Sequence, residues 1–238
     1  MKKLFYIVVV AMLALGLTGC EKQSAGLTKI TYYADIQLEE GDYLVVEKGS
    51  TFVDPGFTAT MAGEDVSSQV EVDGSVDTSK SGIYTLTYSM VNADGFLATA
   101  TRTVVVLDLT DPVEGIWAAD PNSFRLYNGK SVAYGDAYEF LIIGKGDGKY
   151  YVEDLLAGWY CQRAGYGSAY SMESMIQVAT DGSISLLSSQ VSAWGDKADD
   201  FQDGVFDATN KTISYKVTYG SSSSIVMVFN ITLNKVEL

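Results

Sequence analysis

The sequence predicts an all-β protein made of two β units in series, a sandwich followed by an antiparallel barrel or second sandwich. Three observations carry this. Short runs of β-branched and aromatic residues recur along the chain, each closed by a Gly, Asn, Asp or Pro turn signal. No stretch beyond the N-terminal leader keeps a 3.6-residue apolar period long enough to demand a helix. The composition changes near residue 110: all 3 tryptophans and ten of the 16 tyrosines follow it.

The first 19 residues read as a secretory leader. Lys2 and Lys3 form a positive start, and Leu4 to Leu17 is almost wholly apolar. That run is too short to span a bilayer, which takes ~20 residues. Leu17-Thr18-Gly19-Cys20 resembles the bacterial lipobox. The resemblance implies cleavage before Cys20, diacylglycerol on its sulfur and acylation of the new amine, with acyl chains of the palmitate kind. Each buried methylene contributes ~0.8 kcal/mol, so several chains on one cysteine hold a protein to a membrane durably. Residues 20–28 are small and polar and read as a tether, with a reach of roughly 25 Å when extended. Glu21, directly after the cysteine, resembles the surface-export signals of Bacteroidetes lipoproteins.

Residues 29–109 form the first unit. Ile30-Thr31-Tyr32-Tyr33 and Tyr43-Leu44-Val45-Val46 are short β-prone runs, and Gly82 to Met90 and Phe96 to Leu107 are strands, the former of these two with clear apolar–polar alternation. Turns fall at Lys48-Gly49-Ser50, Asp54-Pro55-Gly56, Ala62 to Asp65, Asp73-Gly74 and Asp94-Gly95. Gly49 to Phe57, Ser81 to Tyr88 and Ala98 to Val104 together resemble the bacterial immunoglobulin-like domains of cell-surface proteins. The resemblance implies a seven-stranded sandwich serving as spacer or adhesive module. It places Tyr84 where a corner tyrosine would hold a strand crossing.

Asp108-Leu109-Thr110-Asp111-Pro112 is the boundary, and residues 110–238 form the second unit. Its strands are Tyr138 to Ile143, Lys149 to Val152, Met175 to Val178, Ser183 to Leu187, Thr212 to Thr218 and Ser224 to Leu233. Hairpin turns lie at Gly146-Asp147-Gly148, Asp181-Gly182 and Asp207 to Lys211. Gly115-Ile116-Trp117 resembles the opening of lipocalin-like barrels; a barrel and a second sandwich both remain open. The whole layout of lipobox, immunoglobulin-like domain and aromatic-rich β-domain resembles Bacteroidetes cell-surface lipoproteins. That implies an outer-membrane, surface-exposed setting, often beside glycan importers.

Charge and composition narrow the chemistry. Loss of Lys2 and Lys3 on cleavage takes the net charge of -14 to -16. Nucleic acid is excluded as a partner, because the basic footprint is missing. Strongly anionic polysaccharides are repelled by the same field, which leaves neutral ligands or basic surfaces. The chain has no histidine, which excludes Ser-His-Asp and Cys-His sites and histidine-bound zinc. No phosphate loop or dinucleotide fingerprint occurs, so no cofactor is expected. With Cys20 acylated, Cys161 has no disulfide partner and reads as a small buried hydrophobe.

Two carboxylate pairs, Asp136 with Glu139 and Glu153 with Asp154, are the candidates for glycoside hydrolysis; against them stands the reading of solvated turn and strand-end charge. Asp196, Asp199, Asp200, Asp203 and Asp207 form an acidic run without the EF-hand spacing, read as a solvated loop and not a metal site. The candidate ligand-binding residues are Trp159, Tyr160, Gln162, Arg163, Tyr166 and Tyr170, joined by Trp194. In Gly158 to Tyr170 aromatics alternate with glycine and polar residues, as in a loop that holds rings at the surface. Flat rings suit the apolar faces of sugars, and Gln162 and Arg163 would hydrogen-bond hydroxyls. The competing reading puts Trp159 and several tyrosines in the core, and Trp117 more firmly so.

The resulting expectation is a non-catalytic, lipid-anchored envelope protein that holds a neutral polysaccharide or oligosaccharide as an accessory to uptake. The alternatives are a structural subunit docking on an outer-membrane transporter or neighbouring lipoprotein, and a small glycoside hydrolase.

Overall fold

The computed structural model describes residues 30–220 and 225–238. The leader, Cys20 and the tether lie outside the described residues. Among the latter, no helix is long and apolar enough to cross a membrane.

The first unit has seven strands: β1 (Asp35–Leu38), β2 (Tyr43–Glu47), β3 (Phe57–Met61), β4 (Glu64–Asp65), β5 (Glu71–Asp73), β6 (Gly82–Val91) and β7 (Leu97–Leu107). They form two sheets, β1-β3-β4 and β2-β7-β6-β5, with β2 parallel to β7. Along β6 the alternation puts Leu86, Tyr88 and Met90 inward, where Met90 packs with Ala59 and Val66 of the facing layer. Tyr84 Oη donates to the Lys80 carbonyl at 2.9 Å, the bond of a tyrosine corner.

Arg102 is fully buried in this sandwich. It pairs with Asp54, donates Nε to the Gly41 carbonyl at 3.2 Å, and lies 5.6 Å from the Tyr88 ring centre. Tyr88 Oη donates to the other Asp54 oxygen at 2.6 Å. The Asp54-Pro55-Gly56 turn therefore supplies the counter-ion that allows a guanidinium between two sheets.

The second unit contains β8 (Gly115–Ala119), β9 (Phe124–Tyr127), β10 (Lys130–Ala133), β11 (Glu139–Gly146), β12 (Lys149–Val152), β13 (Met172–Val178), β14 (Ser183–Val191), β15 (Asp200–Asp207), β16 (Thr212–Tyr219) and β17 (Met227–Lys235). Strands β11 to β17 run as an antiparallel meander, and β8 pairs with both β11 and β17. Those eight strands close a barrel, which resolves the choice between barrel and sandwich. The β9–β10 hairpin adds to the first half of β17, with Met227 opposite Tyr127.

The barrel interior is filled by Trp117, Phe140, Ile142, Met172, Ile213, Tyr215, Phe229 and Leu233, among others. Trp117 Nε1 donates to the Val113 carbonyl at 2.8 Å. The internal void between Ile142, Leu155 and Tyr215 is about 10 Å³, at the lower limit of what holds a single water. The barrel interior is therefore a packed core.

The units are joined by more than a turn. Strand β7 changes from alternating to continuous burial at its end, because Val105 and Leu107 face away from the sandwich core. Together with Val45 they pack against Leu141, Ile143, Ile116 and Tyr151 on the outside of the barrel. The connecting segment is pinned as well: the Asp108 amide donates to buried Glu114, Tyr150 Oη donates to Asp111 at 2.9 Å, and Lys235 Nζ donates to the Pro112 carbonyl at 2.8 Å.

Candidate functional site

The β12–β13 connection caps one end of the barrel. Its anchor is Asp154, which is 1% exposed. One carboxylate oxygen accepts from the amides of Leu156 and Met172, both at 2.9 Å, and the other from the Gly158 amide at 2.9 Å and the Cys161 thiol at 3.2 Å. Tyr134 and Tyr215 donate to the carbonyls of Leu156 and Leu155 from below.

Gly158 then turns the chain with φ 83°, where an added Cβ would stand 2.4 Å from that of Tyr138. It starts a π-helical turn, Trp159–Arg163, in which the Arg163 amide donates to the Gly158 carbonyl at 2.8 Å. The expected irregular loop is therefore a wide helical turn followed by a 3-10 turn, Ser168–Tyr170. π-turns are rare and often mark functional positions. This one sends Trp159 inward and Tyr160 outward.

The expectation that Trp159 offers a face at the surface is corrected: it is 3% exposed, edge-on to Tyr134 at 4.9 Å and to Phe229 at 5.6 Å. Arg163 and Arg125 lie over its ring at 4.3 and 4.7 Å. Arg163 also donates Nε to the Tyr134 carbonyl at 3.0 Å, and Gln162 donates Nε2 to the Glu139 carbonyl at 2.6 Å. Both polar side chains tie the turn to the barrel, so the structure keeps them apart from the exposed rings.

The other four candidates converge. Trp194 stands on the β14–β15 connection, which is joined to the cap by the Ala193 amide donating to the Ala169 carbonyl at 3.0 Å. Its ring meets Tyr160 and Tyr170 edge-on, each at 4.9 Å, and Tyr166 lies 5.3 Å from Tyr170. Tyr166 is 56% and Trp194 41% exposed. Edge-to-face contacts of this kind hold rings in fixed attitudes.

Beside these rings lies an open cleft of about 380 Å³, lined by Arg125, Tyr160, Trp194, Asp196, Tyr219 and Met227, with Gly220 and Ile225. Tyr219 Oη donates to Asp196 at 3.2 Å. Burial pushes the Tyr160 and Tyr219 phenols up, the latter with help from the Asp196 charge, so both stay neutral hydrogen-bonding groups. The site thus combines flat rings with a cation, a carboxylate and two phenols. Arg125 and Tyr219 were not legible as site residues. They arrive from β9 and β16, and only barrel closure brings them to residues 160 and 194. Clefts of about 540 and 440 Å³ lie elsewhere, away from the exposed rings.

The carboxylate pairs do other work. Asp154 is enclosed by its four donors, Glu153 accepts from the Leu141 amide at 2.9 Å, and Asp136 accepts from the amide of Ala137. Glu139 is exposed on the rim. The acidic run is dispersed: Asp203 pairs with Lys216 at 2.7 Å, and Asp200 and Asp207 accept from neighbouring amides. Among the described residues no three metal-ligating side chains gather. Cys161 is half-buried, and burial pushes its thiol up to about 12, where it stays protonated and donates to Asp154.

Comparison with known proteins follows the same division. A family model described as "Bacterial surface protein, Ig-like domain" matches residues 36–106, and one described as a C-terminal domain matches residues 106–235. The crystal structure of the lipoprotein BT2262 from Bacteroides thetaiotaomicron is 37% identical, with a TM-score of 0.73 over 85% of this chain and 100% of that one. The chain belongs to the BT2262 family. It is a bacterial cell-envelope protein of the lipoprotein type, an immunoglobulin-like domain followed by an aromatic-rich barrel.

Looser matches come from Clostridium perfringens ZmpB. The M60 catalytic domain with its two CBM51 domains is 21% identical, with a TM-score of 0.28 over 52% of this chain and 15% of that one. CBM51-2 in complex with GlcNAc, with INT domains, is 20% identical, with a TM-score of 0.27 over 55% and 34%. No curated protein matches this chain.

Proposed function

We propose that this BT2262-family protein is a non-catalytic binding protein. In this reading it is held on the outer membrane by lipid on Cys20 and presents the barrel cap to a neutral glycan, as an accessory to uptake. The observation that carries it is the group of Tyr160, Tyr166, Tyr170 and Trp194, partly exposed beside a cleft with polar walls. Binding sites commonly pair an apolar floor with a few fixed polar groups. Sugar rings offer apolar C–H faces to the former and hydroxyls to the latter. The charge of -16 after cleavage selects against polyanions. Enclosure of Asp154 speaks against the Glu153–Asp154 pair as a hydrolase, because an acid–base group must reach substrate.

Calorimetric titration of the mature protein against neutral polysaccharides tests the reading. Binding is expected for at least one, and Trp194→Ala and Tyr166→Ala are expected to abolish it. Failure to bind any glycan, together with stable co-purification of a transporter or neighbouring lipoprotein through the same rings, would replace glycan capture by docking. Mass spectrometry of membrane-extracted protein tests the anchor through the added mass on Cys20.

A further inference from the structure

A second aromatic group lies at the opposite extreme of the chain. Residues 30–33 run against the β6–β7 hairpin: Asn92 Nδ2 donates to the Tyr32 carbonyl at 2.7 Å and Thr31 Oγ1 donates to Asp94 at 3.1 Å. The Tyr33 ring lies 5.5 Å from that of Phe96. Asn92 fixes the hairpin from within, accepting from the amides of Asp94 and Phe96. The result is a tip on which Ile30 (70%), Leu97 (61%), Val91 (59%), Tyr33 (57%), Tyr32 (50%) and Phe96 (47%) are all exposed. Exposed apolar side chains are ordinary when scattered. Six at one hairpin, with their backbone locked, form a surface prepared for contact.

The spacing from the lipobox cysteine bears on what that contact is. Nine residues, 21–29, separate the lipobox cysteine from Ile30 at this tip. Ten residue steps span at most ~33–36 Å and as a flexible coil average ~17–19 Å. The acyl chains and the tip are thus held within one short tether, and the tip is where the described chain leaves toward the anchor. Aromatic side chains with polar ends favour the headgroup level of a bilayer. Tethering makes their insertion an intramolecular event at high effective concentration, so weak contacts suffice. We propose that the Tyr32–Tyr33–Phe96–Leu97 tip rests in the headgroup layer of the membrane that holds Cys20. It is a second attachment point that sets the tilt of the protein. The inference rests on the anchor reading above and is independent of the glycan site.

The test uses the mature lipidated protein in phosphatidylcholine–phosphatidylethanolamine vesicles. Nitroxide labels are attached at Leu97→Cys and, as a control, at Leu187→Cys on β14, which is 50% exposed. Native Cys161 is present in both. Accessibility is read with oxygen, which enters lipid, and a nickel chelate, which stays in water. The oxygen-to-nickel ratio at residue 97 is expected to exceed that at 187 severalfold, and to fall back when Tyr33→Ser and Phe96→Ser are added. Equal ratios in protein that floats with the vesicles would overturn the tip while leaving the anchor standing. Low access to both probes would mean a protein partner covers it, and also overturns it. Protein that fails to float would remove the anchor and the tip together.

Discussion

The Asp154 carboxylate accepts a hydrogen bond of 2.9 Å from the Met172 amide, 18 residues on, and so closes the base of the loop that bears Tyr160, Tyr166 and Tyr170. Its second oxygen serves Gly158 and Cys161. Asp154→Asn replaces one oxygen by an NH2 group and sets donor against donor whichever way the amide faces. Each buried donor left without an acceptor costs ~1–3 kcal/mol. The expected loss is about 2–4 kcal/mol, or roughly 5–15 °C in Tm for a chain of this size. A thermal melt of the variant within a degree or two of the native protein would show that the carboxylate does not hold the cap.

Trp159 and Trp194 are expected to respond oppositely to the same substitution. Trp159→Ala empties a site enclosed by Tyr134, Phe229 and two guanidinium groups, at a cost of about 3–5 kcal/mol. Trp194 is 41% exposed, and its removal is expected to cost under about 1 kcal/mol while abolishing ligand binding. Chemical denaturation and titration of both variants separate the roles. Equal stability losses would show that the π-helical turn does not divide its aromatic residues as described.

That division marks the limit of what local sequence carries. The strands β6, β7, β12, β16 and β17 were readable because β-branched alternation and Gly-Asp turns are short-range signals. The ring group was readable in part, since Tyr160, Tyr166 and Tyr170 are close in the chain. The orientation of Trp159 was not, because it depends on Gly158 adopting a left-handed conformation against Tyr138, which lies on another segment well upstream in the chain. Arg125 and Tyr219 were hidden for the same reason. Arg102 sat in an alternating strand as one polar residue, and nothing local said that Asp54 would meet it. Barrel closure through β8 and β17 joins segments more than a hundred residues apart, and no periodicity reports it.

Stability is expected to depend on pH with two opposed components. Burial raises the pKa of Glu153 above 4.5 and of Asp154 above 3.8. The folded protein therefore takes up these protons before the unfolded chain does, and stability rises as pH falls through the raised values. Asp65, Asp77, Asp108, Asp181 and Asp207 are shifted below 3.8, each chiefly by hydrogen bonds from neighbouring side chains or amides. What they contribute is present above 3.8 and is lost as pH falls through their depressed values. Tm is expected to climb on mild acidification and drop steeply at lower pH. Glu153→Gln is expected to flatten the climb and leave the drop. A Tm that falls steadily from neutral pH downward would contradict the assignment.

Val105 and Leu107 of β7 pack against Leu141 and Ile143 of β11, so the sandwich and the barrel share apolar surface that neither can bury alone. Units joined only by a linker melt independently, whereas a shared cluster couples them. A single calorimetric transition is expected for the mature protein. Ile143→Asp places a charge where Val105 and Leu107 close over it, and charge there has no partner. The variant is expected to show two transitions, with the sandwich melting first because β7 loses the cover on its outer face. Leu107→Ala removes volume without charge and is expected to cost about 2–5 kcal/mol while keeping one transition. Two transitions in the unmodified protein would mean that the cluster is too weak to fix the domains together, and the cap would then be free to swing relative to the membrane-side tip.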